Sequence, residues 1–576
     1  MADTKQEVLD MLRELSELTL LEEGDPQSFR VRAYESAAQA IAAQATDLGK
    51  LTVKELQRIE GIGKSTADKI RELLESGKVA KLEGLRAKHP PGVVALLRIQ
   101  GLGPKALKRL RAELGVESID DLRRILGEHQ LRALKGFGQK SEDKLAQALA
   151  RLEAQGPIDR TPISVALPLA ERIVARMREL PGVVDAAYAG SLRRFSETIG
   201  DIDVVVAAPA SEPVMEALCA MSFVDRIIGR GAAKTSVVTR RGTQVDLRVV
   251  AAHQLGAALL YFTGSKGHNI KLRQRALARG LTLNEYALSE IEGGRVVASR
   301  TEAEIYEALG LRFIPPVLRE DAGEIEASEG GTLPRPITGV IGDFHVHTTV
   351  SGDGRSSLEE VVAAARARGY RVLAVTDHAE GTLSGVGREA MLEQRARVQA
   401  LRPALGDSLT LLHGVELNIG PRGELDYDLE FRRGFDWCLA SVHDHFELGR
   451  AEQTQRIVTA MQDPTVRMIG HLSARMIGGR PPIALDLDAI AEAAAATGTA
   501  LEVNGALPRL DLSVEGLRRA RGREVTFVLT SDAHHADELG RVRFAALNAE
   551  RAWIDPDRIA NAWPPERLAA WATGRG

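Results

Sequence analysis

The sequence predicts a multidomain chain: helical N-terminal domains built on repeated helix-hairpin-helix units, a central α/β domain with a carboxylate centre, and a C-terminal β/α barrel. Three observations predict it. The pattern apolar-x-Gly-apolar-Gly occurs three times, at Ile59–Gly63, Ile99–Gly103 and Leu134–Gly138. An acid-opened apolar run, Asp201-Ile202-Asp203-Val204-Val205-Val206, lies in the middle of the chain. Nine of the thirteen histidines fall between His345 and His535, mostly at the ends of short β-branched runs with alanine-rich helical segments between them.

At 576 residues the chain exceeds one ordinary core, so three or more domains are expected. The formal net charge of −4 averages unlike regions. Between Lys81 and Arg151 fifteen Lys/Arg face eight Asp/Glu, whereas acids prevail between Arg319 and Gly331. Two distant cysteines, Cys219 and Cys438, argue against a disulfide framework or a cysteine-rich zinc site. No apolar run is long enough to span a bilayer and no secretory signal opens the chain, so a cytoplasmic setting without membrane partners is expected.

The first 80 residues carry apolar positions at helical spacing, such as Val8, Met11, Leu12, Leu15 and Leu18. In each glycine repeat the glycines permit a tight turn, and the following helix presents free N–H groups to an anion. Basic residues follow each copy. Gly61, Gly63 and Lys64 in the first, and Gly101, Gly103 and Lys105 in the second, are therefore candidate contacts to a phosphate backbone. Such a clamp reads DNA structure rather than sequence. The third copy, with Gly136 and Gly138, reads equally well as a purely structural turn.

On a strand, residues two apart share a face, so Asp201 and Asp203 present their carboxylates side by side. Like charges that close call for a cation, and Mg²⁺ takes carboxylates together with substrate phosphates. The Gly190-Ser191 turn, Arg193 and Arg194 just upstream suit those phosphates. A third acid, Asp246, is set in the strand-like run Gln244–Val250. Three carboxylates on adjacent strands would make a two-metal centre.

Arg319–Val340 is acidic, glycine-rich and without apolar periodicity, and reads as a linker. Beyond it come Asp343-Phe344-His345-Val346-His347, Asp377-His378, Gly414-Val415-Glu416, Val442-His443, Gly470-His471 and Asp532-Ala533-His534. Polar ligands at the carboxyl ends of strands alternating with helices describe a β/α barrel with its site at the top. Imidazole with carboxylate suits Zn²⁺, Mn²⁺ or Fe²⁺ better than Mg²⁺.

GSLRR…GDID, VDLRVV and YFTGSKGHNIKLR resemble, in order, the palm and thumb of family X DNA polymerases, which include polymerase beta. The histidine-rich half is similar to the PHP (polymerase and histidinol phosphatase) domain at the C-terminus of bacterial members. The resemblance implies residues 1–80 as a lyase-like helical domain, 81–155 as helix-hairpin-helix fingers and 156–252 as a nucleotidyltransferase palm. Residues 253–318 would then be the thumb, 319–340 the linker and 341–576 a PHP phosphoesterase.

The same resemblance implies a gap-filling repair polymerase acting on gapped or nicked DNA with dNTPs, as a monomer. Asp201, Asp203 and Asp246 would hold two Mg²⁺ ions, with Asp246 also placed to help deprotonate the primer 3′-hydroxyl. Gly190, Ser191, Arg194, Tyr261, Phe262, Gly264, Asn269 and Arg273 would surround the nucleotide. In the PHP half His345, His347, Asp353, His378, Glu416, His443, His471, Asp532 and His534 would hold up to three Mn²⁺ or Zn²⁺ ions. That site would act as a 3′–5′ exonuclease or cleave at abasic sites. The loop before Asp353 is one residue longer than the family pattern. His413, His445 and His535 fit no motif and are left between substrate contact and plain exposure. Lys69 matches the family's Schiff-base lysine, although Glu60 and Asp68 beside it favour a phosphate contact. Two alternatives remain: a PHP nuclease with a non-catalytic DNA-end-binding N-terminal half, and a polymerase whose PHP domain is only structural.

Overall fold

The computed structural model describes residues 2–574 apart from 24–27, 44–47, 49–50, 60, 90–92, 94–95, 97–101, 103, 135–136, 140–141, 144, 147–148, 150–159 and 383. The chain forms two compact units, one of Met1–Asp159 with Ala220–Val224, the other of Arg160–Cys219 with Asp225–Gly576.

The first unit is helical. In α1 (Ala2–Glu23) the residues Val8, Leu12 and Leu15 are fully buried, and Ala37 and Ile41 of α2 (Phe29–Ala43) join the same core. The positions with helical spacing thus form one apolar stripe, as amphipathic periodicity requires. Gly61 turns the chain with φ +89°, and extended Gly63 caps α3 (Lys64–Ser76). Of the second repeat, Gly101, Gly103 and the Lys105 side chain lie outside the described residues, as does Gly136 of the third; the helix Pro104–Leu114 follows the second.

After the helix Ile163–Arg178, the second unit forms a five-stranded sheet of β1 (Asp185–Tyr188), β2 (Asp201–Ala207), β3 (Val224–Arg230), β4 (Lys234–Thr239) and β5 (Gln244–Val250), in the order β1-β2-β5-β4-β3. The central strands β2 and β5 run parallel, with Asp203 opposite Asp246. After them come α4 (Leu255–Thr263), α5 (Lys266–Leu277) and a small antiparallel sheet of Leu281–Leu283, Leu288–Glu290 and Val296–Ala298.

Seven parallel strands then follow in sequential order: β6 (Gly342–Asp343), β7 (Val372–Val375), β8 (Thr410–Asn418), β9 (Trp437–Ser441), β10 (Val466–Ile469), β11 (Ala500–Asn504) and β12 (Phe527–Thr530). A parallel bridge from Val346 to Ala533 brings the two ends of the sheet together, leaving a nearly closed barrel. Alternate residues face opposite ways. Val372 and Ala374 pack with Phe344, Leu412, Leu439 and Met468, while Leu373 and Val375 join the separate apolar layer that includes Val361 and Ala365 of the helix Leu358–Ala367.

The structure differs from expectation over the first part of the segment read as a linker, whereas residues 332–340 form neither helix nor strand. Arg319 is fully buried, Glu324–Glu329 is helical and Glu324 is 1 % exposed. Charge composition suggested solvation, but these groups find partners inside: Arg319 pairs with Glu302 at 2.6 Å, and Glu324 is hydrogen-bonded to the His268 ring at 2.6 Å. A paired, hydrogen-bonded charge can be buried where an isolated one cannot.

Candidate active sites

In the sheet domain, strand pairing converts a sequence separation of more than forty residues into contact. One carboxylate oxygen each of Asp201, Asp203 and Asp246 lies within 4.8 Å of the others. Burial, then the charges of Asp201 and Asp246, push Asp203 up to about 7. A carboxylate so disfavoured as an anion fits a cation site, where bound charge restores the ionised form. Burial also pushes Asp246 upward, but hydrogen bonds from Lys234, Ser236 and Gln244 outweigh it, and its pKa is lowered. The Lys234 ammonium, 2.6 Å from Asp246 Oδ2, was not anticipated from sequence.

Gly190 stands at φ +63°, and a Cβ there would lie 2.5 Å from Asp203 Oδ2. The turn is therefore pressed against the carboxylates, and only glycine combines that approach with that backbone. Gly190→Ala is expected to reduce primer extension on the order of 10²-fold, the cost of a misplacement near 1 Å. Unchanged extension by the alanine variant in single-turnover kinetics would refute this constraint.

Both arginines after the turn are anchored. Arg193 makes a bidentate pair with Glu302 (2.9 and 2.7 Å) and donates to Thr263 Oγ1 (2.8 Å). Arg194 donates through Nη1 to Thr263 O (2.6 Å) and through Nε to Glu320 (3.2 Å). These bonds tie the turn to the end of α4, where Tyr261 is 37 % exposed and Phe262 lies beneath the Arg248 guanidinium at 4.3 Å. The Tyr261 and Phe262 rings meet edge to face at 5.1 Å, and Asn269 donates to Tyr261 O at 2.8 Å. Ser191 is half-buried, Gly264 lies beside Arg194, and Arg273 is exposed one turn beyond Asn269 on α5.

At the carboxyl end of the barrel all nine residues expected as ligands fall into overlapping groups. They are His345, His347 and Glu416; His378, Glu416 and His443; His345, His471 and Asp532; and His347, Asp353, His378 and His534. Glu416 belongs to two of them and is fully buried. It lies 2.9 Å from His378 and from His471, 3.2 Å from His443 and 3.3 Å from His345. Neither Glu416 oxygen nor the facing atoms His345 Nε2, His378 Nδ1 and His443 Nε2 has a hydrogen-bond partner. Buried polar atoms are rarely left so, and lone pairs that converge without hydrogen-bond geometry fit metal ligation. Burial opposes a charge on His345, but Glu416, Glu502 and Asp532 hold its pKa well above the imidazole range.

The longer loop reaches the site after all: Asp353 Oδ2 lies 3.2 Å from His378 and 3.5 Å from His534. The loop folds back tightly beside it, for a Cβ on Gly354 would overlap Thr348 O at 1.8 Å. Sequence reading missed Glu502 on β11, which accepts from His345 Nδ1 (2.6 Å), Thr530 Oγ1 (2.6 Å) and the His471 amide. Its signal was there, an acid inside the apolar run Leu501–Val503 like that around Asp246. Such outer carboxylates orient ligating imidazoles. Among the unassigned histidines, His413 is buried against Phe435 and belongs to none of the ligand groups. His445 is exposed and pairs with Asp444, while His535 accepts from the Asp537 amide.

Together these features define a polymerase-like palm and thumb joined to a metal-dependent phosphoesterase barrel. Comparison with known proteins agrees. Residues 258–320 match the DNA polymerase beta thumb, 3–79 a helix-hairpin-helix domain, 93–151 a SAM-like helix-hairpin-helix tandem and 343–506 the PHP domain. The chain is 34% identical over 562 residues to the DNA polymerase/3′-5′ exonuclease PolX of Bacillus subtilis (strain 168), covering 97% of each. It is 28% identical over 291 residues to DNA polymerase lambda of Rattus norvegicus, 46% of this chain and 48% of that protein. Over 245 residues, 41% of this chain, it is 29% identical to a protein named "Probable phosphatase" in Shewanella sp. (strain ANA-3), covering 92% of it. The chain belongs to the bacterial family X DNA polymerases that carry a C-terminal PHP domain. As such it binds DNA and uses divalent metal ions. Among the described residues no helix is long and apolar enough to cross a membrane.

Proposed function

We propose that the chain fills short gaps in DNA from dNTPs at the three aspartates and trims 3′ ends at the PHP centre, as a cytoplasmic monomer. The observation that carries the reading is the convergence of Asp201, Asp203 and Asp246 beside the Gly190 turn. Asp201, Asp203 and Asp246 would hold Mg²⁺, and the nine barrel residues would hold Mn²⁺ or Zn²⁺. When bound, such ions neutralise phosphate charge and make the attacking hydroxyl or water more acidic. The protein's own part is positional: Ser191 and Arg194 to grip phosphates, Tyr261 and Phe262 to pack the sugar. Asn269 and Arg273 would meet the nascent pair and template. Asp246, whose Oδ2 lies 2.6 Å from the Lys234 ammonium, would also help deprotonate the primer 3′-hydroxyl. A gapped duplex incubated with dNTPs and Mg²⁺, and a 3′-labelled one with Mn²⁺, test the two halves; neither extension nor shortening would sink both.

A second activity is favoured by one feature of the helical unit. Lys69 lines a cavity of about 410 Å³ with Lys64, Ser65, Asp68, Glu72 and Lys81. Its ammonium lies 2.7 Å from Ser65 Oγ and 5.9 Å from the Tyr34 ring centroid. Burial lowers its pKa against the opposing charges of Asp68 and Glu72. An amine so disposed suits Schiff-base chemistry at an abasic sugar, while Gly61, Gly63 and Lys64 at the hairpin suit the DNA phosphates. Borohydride should trap the wild-type chain on abasic DNA, and Lys69→Ala should lower the adduct at least about tenfold. Equal trapping by the two proteins would return Lys69 to a phosphate contact.

A further inference from the structure

The barrel grips the palm at the segment that joins the Gly190 turn to Asp201. Phe195 stacks on Phe544 with ring centroids 5.8 Å apart and planes 17° apart. Glu197 makes a bidentate pair with Arg475, both contacts at 2.9 Å. Arg475 is itself fixed by donating to the carbonyls of Arg509 and Leu510. Arg551, the last residue of the barrel helix Val542–Arg551, donates to Phe195 O at 3.3 Å and to Glu320 Oε1 at 2.9 Å. That same oxygen accepts from Arg194 Nε.

Glu320 is thus divided between two guanidiniums, each with a side chain 15 % exposed. One carboxylate cannot neutralise two cations, so the cluster keeps a net positive charge at the position assigned to the triphosphate. With Arg551 gone, Arg194 would be the one guanidinium still hydrogen-bonded to Glu320, its charge compensated and the carboxylate free to draw it aside. We propose that Arg551 of the PHP barrel is a positioning residue for the polymerase reaction, acting through Glu320 to leave the charge of Arg194 uncompensated and directed toward the incoming nucleotide. This rests on the reading of Arg194 as a phosphate contact. It gives the barrel a part in synthesis that is separate from its own metal centre.

Steady-state primer extension on the full chain tests it, with Arg194→Ala as the benchmark. Arg551→Ala is expected to raise KM for dNTP about tenfold with kcat within about threefold, the scale of one charged hydrogen bond. Bound-metal content and 3′ shortening should match wild type. Arg551→Lys, which keeps the charge and guards against a folding defect, should recover most of the loss. In Arg551→Ala/Glu320→Gln, where no carboxylate remains to neutralise Arg194, KM should return toward wild type. If Arg194→Ala raises KM and Arg551→Ala does not, the proposal is overturned while the reading of Arg194 stands. If neither raises it, both fall. An equal fall in extension and shortening would also overturn the proposal, since it would mark a general structural role.

Discussion

Asp201→Ala is expected to reduce primer extension on the order of 10³-fold or more, the scale on which removal of a preorganised electrostatic partner acts. Binding to gapped DNA should stay within about twofold of wild type, because backbone contacts made elsewhere dominate affinity. Shortening of 3′ ends should not change, since the barrel ligands form a separate cluster. The metal-free protein should not melt earlier. The charge of Asp201 is one of the causes that push Asp203 up to about 7, so its loss relieves repulsion within the trio. Extension by the alanine protein at a rate near wild type would remove the carboxylate centre from the chemistry altogether.

The second large effect is expected at Glu416. Four imidazoles crowd around its carboxylate within 3.3 Å, and no hydrogen bond satisfies either oxygen. Burial alone would protonate it, yet His345, His443 and His378 hold its pKa well below the carboxylate range. Glu416→Gln preserves volume while removing the anion that two of the ligand groups share. Bound metal, measured by mass spectrometry of the purified chain, is expected to fall by about one ion or more, and 3′ shortening on the order of 10³-fold. Gap filling should persist. Full metal content in the glutamine variant would show that Glu416 is not a ligand, and the cluster would need another account of its unpaired atoms.

Much of this organisation is legible along the chain because it depends on local periodicity. The two-residue repeat of a strand places Asp201 and Asp203 on one face whatever the rest of the fold does. The recurrence of histidine or acid at strand ends describes a barrel mouth before any strand is paired. The packing of Arg319 and Glu324 inside Arg319–Val340 was missed for an equally local cause. Composition counts charges but not their partners, and Arg319 and Glu324 find theirs in Glu302 and His268. The roles of Lys234 and Glu502 were hidden for a related reason. Each acts on a residue brought near only by sheet register or by the curvature of the barrel.

The sequence by itself determined the chemistry on offer: carboxylates alone for one centre, imidazoles with carboxylates for the other. Only the tertiary structure decided which of those groups meet. Asp246 stands beside Asp203 because two parallel strands are in register, and Glu320 is shared between Arg194 and Arg551 because the barrel packs on the palm. The physical reason is that charge interactions and hydrogen bonds act over a few ångströms of space, whereas the partners they join here are separated by up to hundreds of residues of chain.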